Sequence, residues 1–391
     1  MSQQPFDYIT NRMQTHSVKW DNVNSLFGGE DLLPMWVADM DFPAPPAVQQ
    51  ALEKALKHGI FGYTVPNNET SDAILEWLEN RHDWKAESDW IVYSPGVVFS
   101  ISMAIQAFTN EKDPILIQTP VYSPFFNMIK ENGRTLIENP LILQDDRYKM
   151  DFADLEEKLA QGVKMMILCS PHNPGGRVWT AEELQRVYEL CQRHGVILLS
   201  DEIHADLVYK PHKHIPIASL HRDGESNIIT FIAPSKTFNL AGLQASAVII
   251  DNKELREKYN RIQRKQGFFS LNLFGIVGME AAYRGGEGWL ENLLSYLQDN
   301  IQYASDFIRN RLPKLKLVEP EGTYLIWIDC RGLGLSDAKI RTLLLEKGKL
   351  AVEPGTKYGR QGSGFIRLNI GCPRELLKDG LDRLYRAFSD V

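Results

Sequence analysis

The chain has 391 residues, 43% hydrophobic and 10% aromatic, with a formal net charge of -7; this is enough apolar material for one large or two moderate globular domains and excludes a disordered chain. Its cations are dispersed, which excludes the basic footprint of a nucleic-acid or anionic-membrane binder and leaves a small molecule as the expected partner. Cys169, Cys191, Cys330 and Cys372 form no C-x-x-C pair, which disfavours zinc and a disulfide framework; with no leader-like pattern at Met1 to Asp7 and no bilayer-length apolar run, the expected setting is the cytoplasm.

Residues 1 to 45 read as an irregular arm rich in aromatics. Its apolar segment Leu33 to Pro43 ends in two acids and a proline, and packing is the ordinary role of Trp36 and Met40, although a backbone N–H near Ala38 could face a ligand. An amphipathic helix is expected from Pro46 to His58, stopped by Gly59, then a loop carrying Tyr63 and a helix from about Glu69 to Arg81. Ile91 to Ser100 reads as a short strand, a turn containing Gly96 and the start of a helix. That junction is either a plain tight turn or a place where free N–H groups and the positive end of the helix dipole hold a phosphate. With neither a G-x-G-x-x-G fingerprint nor a G-x-x-x-x-G-K-[ST] loop there, a nicotinamide or nucleoside triphosphate site is disfavoured.

Strands are expected at 114–118, 163–169, 196–199, 228–233 and 245–250, with helical patterns between several of them. The alternation implies an α/β fold with a mostly parallel sheet between helices, and in such sheets ligands sit at the carboxyl ends of the strands. Those ends gather Tyr122, Asn173, Asp201 and Lys236. Lys236 follows the apolar run 228–233 and Pro234, so it is either a lysine snorkelling from a core edge or a desolvated amine poised to form a Schiff base. Asp201 ends a strand with no basic residue before His204, and a protonated ring nitrogen would suit it. Asn173 admits an Asx turn or a hydrogen bond to a phenolic oxygen, and Tyr122 admits a core role or stacking on a planar ring. After Trp289 a long helix to Leu312 opens a second, smaller α+β domain, with strands at 324–328 and 365–370 and a last helix at 373–388. Arg367 alternates outward between Ile366 and Leu368, as a surface ion pair or as an anchor for a substrate carboxylate.

Taken together, Tyr122, Asn173-Pro174, Asp201, Ser235-Lys236 and a late arginine resemble the pyridoxal-phosphate enzymes of the aspartate aminotransferase fold (fold type I) over nearly the whole chain. Leu33 to Phe42, Ser94 to Val98, Ser200 to His204 and Ser235 to Gly242 resemble the MalY/PatB branch of cystathionine β-lyases, or cysteine-S-conjugate β-lyases. The resemblance implies pyridoxal 5'-phosphate as cofactor, a large cofactor-binding domain over 46–288, and a small domain made of 289–391 with the arm 1–45. It also implies a homodimer with shared sites. Lys236 would hold the cofactor aldehyde, Asp201 the pyridine nitrogen, Asn173 the ring hydroxyl and Tyr122 the ring face. Gly96, Val97 and Ser235 would hold the phosphate with Tyr63 of the other subunit, and Arg367 the substrate α-carboxylate, helped by the Ala38 backbone. Two departures from the wider family stand out: Gln244 replaces a phosphate-binding arginine and His204 a tyrosine near the ring hydroxyl.

The implied reaction is α,β-elimination from an amino acid with sulfur at Cβ, such as L-cystathionine, to a thiol, pyruvate and ammonia. Transamination would use the same residues, and a cofactor-bearing regulatory protein is the reading from another class.

Overall fold

In a computed structural model, residues 6–221 and 226–391 are described; the start of the arm read above, Met1 to Pro5, lies outside them. Seven strands form the central sheet: β1 (Ile91–Ser94), β2 (Pro114–Ile117), β3 (Thr135–Glu138), β4 (Met165–Cys169), β5 (Ile197–Asp201), β6 (Ile228–Ile232) and β7 (Ser246–Ile249). Their spatial order is β1-β7-β6-β5-β4-β2-β3. All neighbours are parallel except β7, which is antiparallel to both β1 and β6. The reversal of β7 matters to the site. It brings the start of this strand, with Gln244 and Ala245 just before it, to the rim where the other strands end, and pairs Ser246 with Ser94.

The sheet is two-faced because side chains alternate along each strand. Met166, Leu168, Leu198 and Ile228 point into one apolar cluster, which also takes Leu155 and Leu159 of the helix Phe152–Ala160 and Leu184 and Val187 of the helix Ala181–Arg193. Met165, Ile167, Leu199, Ile229 and Val248 point into the other, against the helices Val97–Phe108 and Lys253–Lys265. With both faces covered, strands such as β4 and β6 are buried at every residue, which is why they read as unbroken apolar runs.

A second antiparallel sheet contains β8 (Lys316–Val318), β9 (Leu325–Asp329), β10 (Glu353–Pro354) and β11 (Phe365–Asn369), in the order β8-β9-β11-β10. It packs with the helices Glu287–Arg311 and Arg374–Phe388. Leu33–Pro34 of the arm adds parallel to Leu350–Ala351, and Trp36 and Met40 are buried, so the arm is part of this layer's packing. A buried ion pair holds it: Lys19 Nζ lies 2.7 Å from Asp41 Oδ2, and Arg12 bridges Asp39 and Asp41.

The expected helices at 46–58, near 69–81 and at 373–388 are present as Pro46–His58, Asn68–His82 and Arg374–Phe388. Strand β3, the hairpin Ile142–Gln144 with Arg147–Lys149, and the short strands β8 and β10 were not expected from the sequence. Each has only two to four residues, too few for an alternation to show.

Candidate active site

The rim of the central sheet encloses a cavity of about 200 Å³ lined by Ala38, Gly96, Val97, Tyr122, Asn173, Asp201, His204, Ser235 and Lys236, with Phe99, Cys169, Ile203 and Gln244 among the other lining residues. Lys236 differs in detail from a simple strand end. After β6 the chain turns into the one-turn helix Pro234–Thr237, in which Pro234 occupies the first turn, where a missing N–H costs nothing. Lys236 Nζ donates to the carbonyl of Ala38 at 2.7 Å. Burial draws its ammonium down to about 8; Arg367 adds to that, while Asp39 and Asp201 oppose it. The amine is thus held in the cavity wall close to its neutral, nucleophilic form, which is not the state of a snorkelling surface lysine.

Asp201 is the last residue of β5 and is 4% exposed. Burial raises its carboxyl to about 7, relieved by the Ile203 N–H at 3.2 Å and by Lys236. His204 does not neutralise it: burial first, then Lys236 and Arg367, push the imidazole down to about 3, so the ring is uncharged, and its Nδ1 is buried without a partner. Two features therefore call for a ligand in this cavity, a costly carboxylate that lacks a cation and an imidazole nitrogen that lacks a hydrogen bond.

Arg367 on β11 is 4% exposed, and no carboxylate among the described residues lies within ion-pair distance of it. Its Nη1 donates to Asn173 Oδ1 at 3.1 Å and its Nη2 to the Trp36 carbonyl at 2.7 Å. Its Nε is buried without a partner and its guanidinium lies 5.2 Å from the Tyr358 ring centre. Asn173 thus spends its carbonyl oxygen on Arg367, which leaves its amide N–H groups for another acceptor. The Ala38 carbonyl is occupied as well, accepting from Lys236 and from the Tyr324 hydroxyl at 2.8 Å. Tyr122 stands edge-on to Phe125, and burial raises its phenol to about 12, so it keeps its proton.

At the other end of the cavity the helix Val97–Phe108 starts at Gly96 with no side-chain cap, so its first N–H groups await an acceptor. A Cβ built on Gly96, which lines the cavity, would meet nothing within 4 Å. Ser235 and Gln244 line the same space, the latter with a left-handed φ of 51° at the end of the turn Ala241–Leu243. Among the described residues no cluster of potential metal ligands occurs. Such a cavity fits a planar cationic ring with a phosphate: the carboxylate would take the ring nitrogen, the buried amine an aldehyde, and the bare helix end the phosphate.

Two of the residues read from the sequence do not line this cavity: Arg367, which reaches it through Asn173, and Tyr63. Tyr63 is wholly exposed, its ring 6.4 Å from that of Phe269. Sequence reading missed Phe99, Cys169, Ile203 and Ala241 in the lining, since apolar side chains carry no mark of the cavity they face.

Comparison with known proteins agrees with this geometry. The family model of class I and II aminotransferases matches residues 30–384. Cystathionine β-lyase PatB of Bacillus subtilis is 50% identical over 98% of this chain and 100% of its own, and protein MalY of Escherichia coli 38% identical over 99% of both. Among solved structures, cystalysin from Treponema denticola, which contains a pyridoxal 5'-phosphate cofactor, superposes with a TM-score of 0.95 at 34% identity, covering 98% of both chains. The C-S lyase of Staphylococcus hominis, bound to the same cofactor, does so with a TM-score of 0.92 at 34% identity, covering 98% of this chain and 97% of its own. The chain belongs to the class I and II aminotransferase family of fold type I and, within it, to the MalY/PatB branch.

Proposed function

We propose that this protein is a pyridoxal-phosphate-dependent carbon–sulfur β-lyase that cleaves L-cystathionine, or a related cysteine S-conjugate, to a thiol, pyruvate and ammonia. The observation that carries the reading is the pairing within one cavity of a near-neutral lysine amine with an uncompensated buried carboxylate; the lyase names of full-length relatives choose the reaction.

Lys236, Asp201, Asn173, Tyr122, His204, Gly96, Val97 and Ser235 would hold the cofactor. Once bound, pyridoxal phosphate supplies an electron sink for the charge left when a proton leaves Cα. Asp201 keeps the proton on the ring nitrogen, since an ionised carboxylate in a dry site stabilises a cation beside it. Arg367 would take the α-carboxylate through its unpartnered Nε and the Nη2 now spent on the Trp36 carbonyl, while Asn173 keeps Nη1 and fixes the guanidinium plane. Lys236, with its amine drawn down to about 8, is the base for the Cα proton near neutral pH. The thiolate then leaves from Cβ. Tyr122 packs one wall of the ring site, and the Ala38 backbone borders the substrate end.

The unit 46–288 would carry the cofactor, and 289–391 with the arm 1–45 would carry Arg367. The exposed Tyr63, Phe61, Ile60 and Phe269 support a homodimer in which Tyr63 reaches the phosphate of the partner's site. No helix among the described residues is long and apolar enough to cross a membrane, and four buried free cysteines support a reducing, cytoplasmic setting. The test is to incubate the purified holoenzyme with L-cystathionine and no 2-oxo acid. Pyruvate and thiol should form in equal amounts over many turnovers; turnover that appears only when a 2-oxo acid is added would replace the lyase with a transaminase.

A further inference from the structure

Behind the wall that carries Lys236 lies a second buried carboxylate, which the reaction above does not use. Asp206 is 6% exposed and accepts from Thr237 Oγ1 at 2.7 Å, Trp77 Nε1 at 3.0 Å and His82 Nε2 at 2.8 Å, with Arg81 Nε at 3.5 Å. Burial works against its charge, yet His82, Arg81 and Thr237 together bring the carboxyl down to about 2. An ionised carboxylate can only accept, so the proton of the contact with His82 sits on Nε2. Burial lowers the basicity of that imidazole.

These partners come from three places. Trp77, Arg81 and His82 lie on the helix Asn68–His82, Asp206 lies five residues beyond Asp201, and Thr237 is the neighbour of Lys236 in the one-turn helix Pro234–Thr237. A helix of four residues does not hold its own geometry, and this one has no side-chain cap. Its orientation is set by outside tethers: the Lys236 amine on Ala38 at one side and the Thr237 hydroxyl on Asp206 at the other. We propose that Asp206 is a positioning residue for Lys236, acting through the hydroxyl of Thr237, so that the amine meets the cavity in one fixed orientation. This rests on the reading of Lys236 as the reactive amine.

Thr237→Val removes one donor and leaves Asp206 its other partners, whereas Thr237→Ser retains the hydroxyl. The first readout uses protein stripped of cofactor: competitive acylation of Lys236 across pH, followed by peptide mass spectrometry. The wild type should show a midpoint near about 8. In Thr237→Val the midpoint should move up towards an ordinary lysine, because the loosened amine regains water, while Thr237→Ser keeps the wild-type midpoint. In the loaded enzyme kcat should fall about tenfold in Thr237→Val with KM within about twofold, the loss expected from one misdirected hydrogen bond. Trp77→Phe serves as the control for simple loosening, since it removes a different donor: it should lower the melting temperature and leave the Lys236 midpoint in place.

A Thr237→Val protein with wild-type midpoint and kcat overturns the proposal, as does a Trp77→Phe protein in which both move equally far. If Thr237→Val does not fold, Thr237→Ala is judged by the same criteria; failure of both to fold, with Thr237→Ser folded, would assign the hydroxyl to folding alone. A Lys236→Ala protein that still turns over would instead overturn the reading of the site, a result separate from all of these.

Discussion

Lys236 and Asp201 have opposite pH signatures in the protein without cofactor. The carboxyl of Asp201 is raised to about 7, so its cost is absent below the ordinary carboxylate range and grows as pH rises to about 7. The full penalty is on the order of 4 kcal/mol above that pH. Lys236 is lowered to about 8, so its cost is present below that pH and fades as pH rises to the ordinary lysine value. Asp201→Asn should therefore melt higher than the wild type at pH 8 when both are stripped of cofactor. That gain should shrink towards pH 4, while turnover of the loaded enzyme is lost at every pH; thermal melts at both pH values and a pyruvate assay check it. Lys236→Ala should abolish borohydride-stable attachment of the cofactor at position 236, read by peptide mapping. Arg367→Lys keeps the charge but not the forked geometry that meets Asn173 and Trp36. It should raise KM about tenfold or more with a smaller change in kcat, measured with L-cystathionine.

At the scale of elements, two glycines show why short turns decide so much. Gly96 opens the helix Val97–Phe108, lines the cavity and has room for a Cβ with no atom within 4 Å. Gly96→Val should leave the melting temperature of the stripped protein within a degree or two and weaken cofactor binding by about tenfold or more, as titration of the visible band will report. Gly362 is the opposite case, because its Cβ would lie 2.0 Å from the Gly355 carbonyl oxygen. That contact closes the loop 355–362, which sets Tyr358 beside Arg367 and lets the Tyr358 carbonyl accept from the Val121 N–H at 2.9 Å. Gly362→Ala should open the loop, lower the melting temperature and raise KM in the same variant.

For the molecule as a whole, the join between the two sheets includes a buried carboxylate that is paired. Glu321, ahead of β9, pairs with Arg177 and accepts from the Val178 N–H at 2.7 Å, while Arg147 Nε lies 2.7 Å from its other oxygen. A homodimer with shared sites predicts complementation. Tyr63→Ala and Lys236→Ala, each nearly inactive alone, should on mixing and re-assembly regain about a quarter of wild-type activity, because half the dimers are mixed and each of those has one intact site. Mixing without any gain would mean that Tyr63 serves its own subunit or none.

The layered α/β core and four of the groups around the cavity, Tyr122, Asn173, Asp201 and Lys236, are legible in the sequence, because long apolar runs stand out along a chain and strand ends in a parallel sheet share one edge. The sequence also carries the family motifs. Only the tertiary structure shows that β7 runs against its neighbours and so delivers Gln244 to the cavity, that Leu33–Pro34 of the arm pairs in parallel with Leu350–Ala351, and that Asp206 stands behind Lys236. Those outcomes depend on contacts between residues from 15 to more than 300 positions apart, and neither composition nor periodicity within one segment records which distant partner will satisfy a buried donor or acceptor.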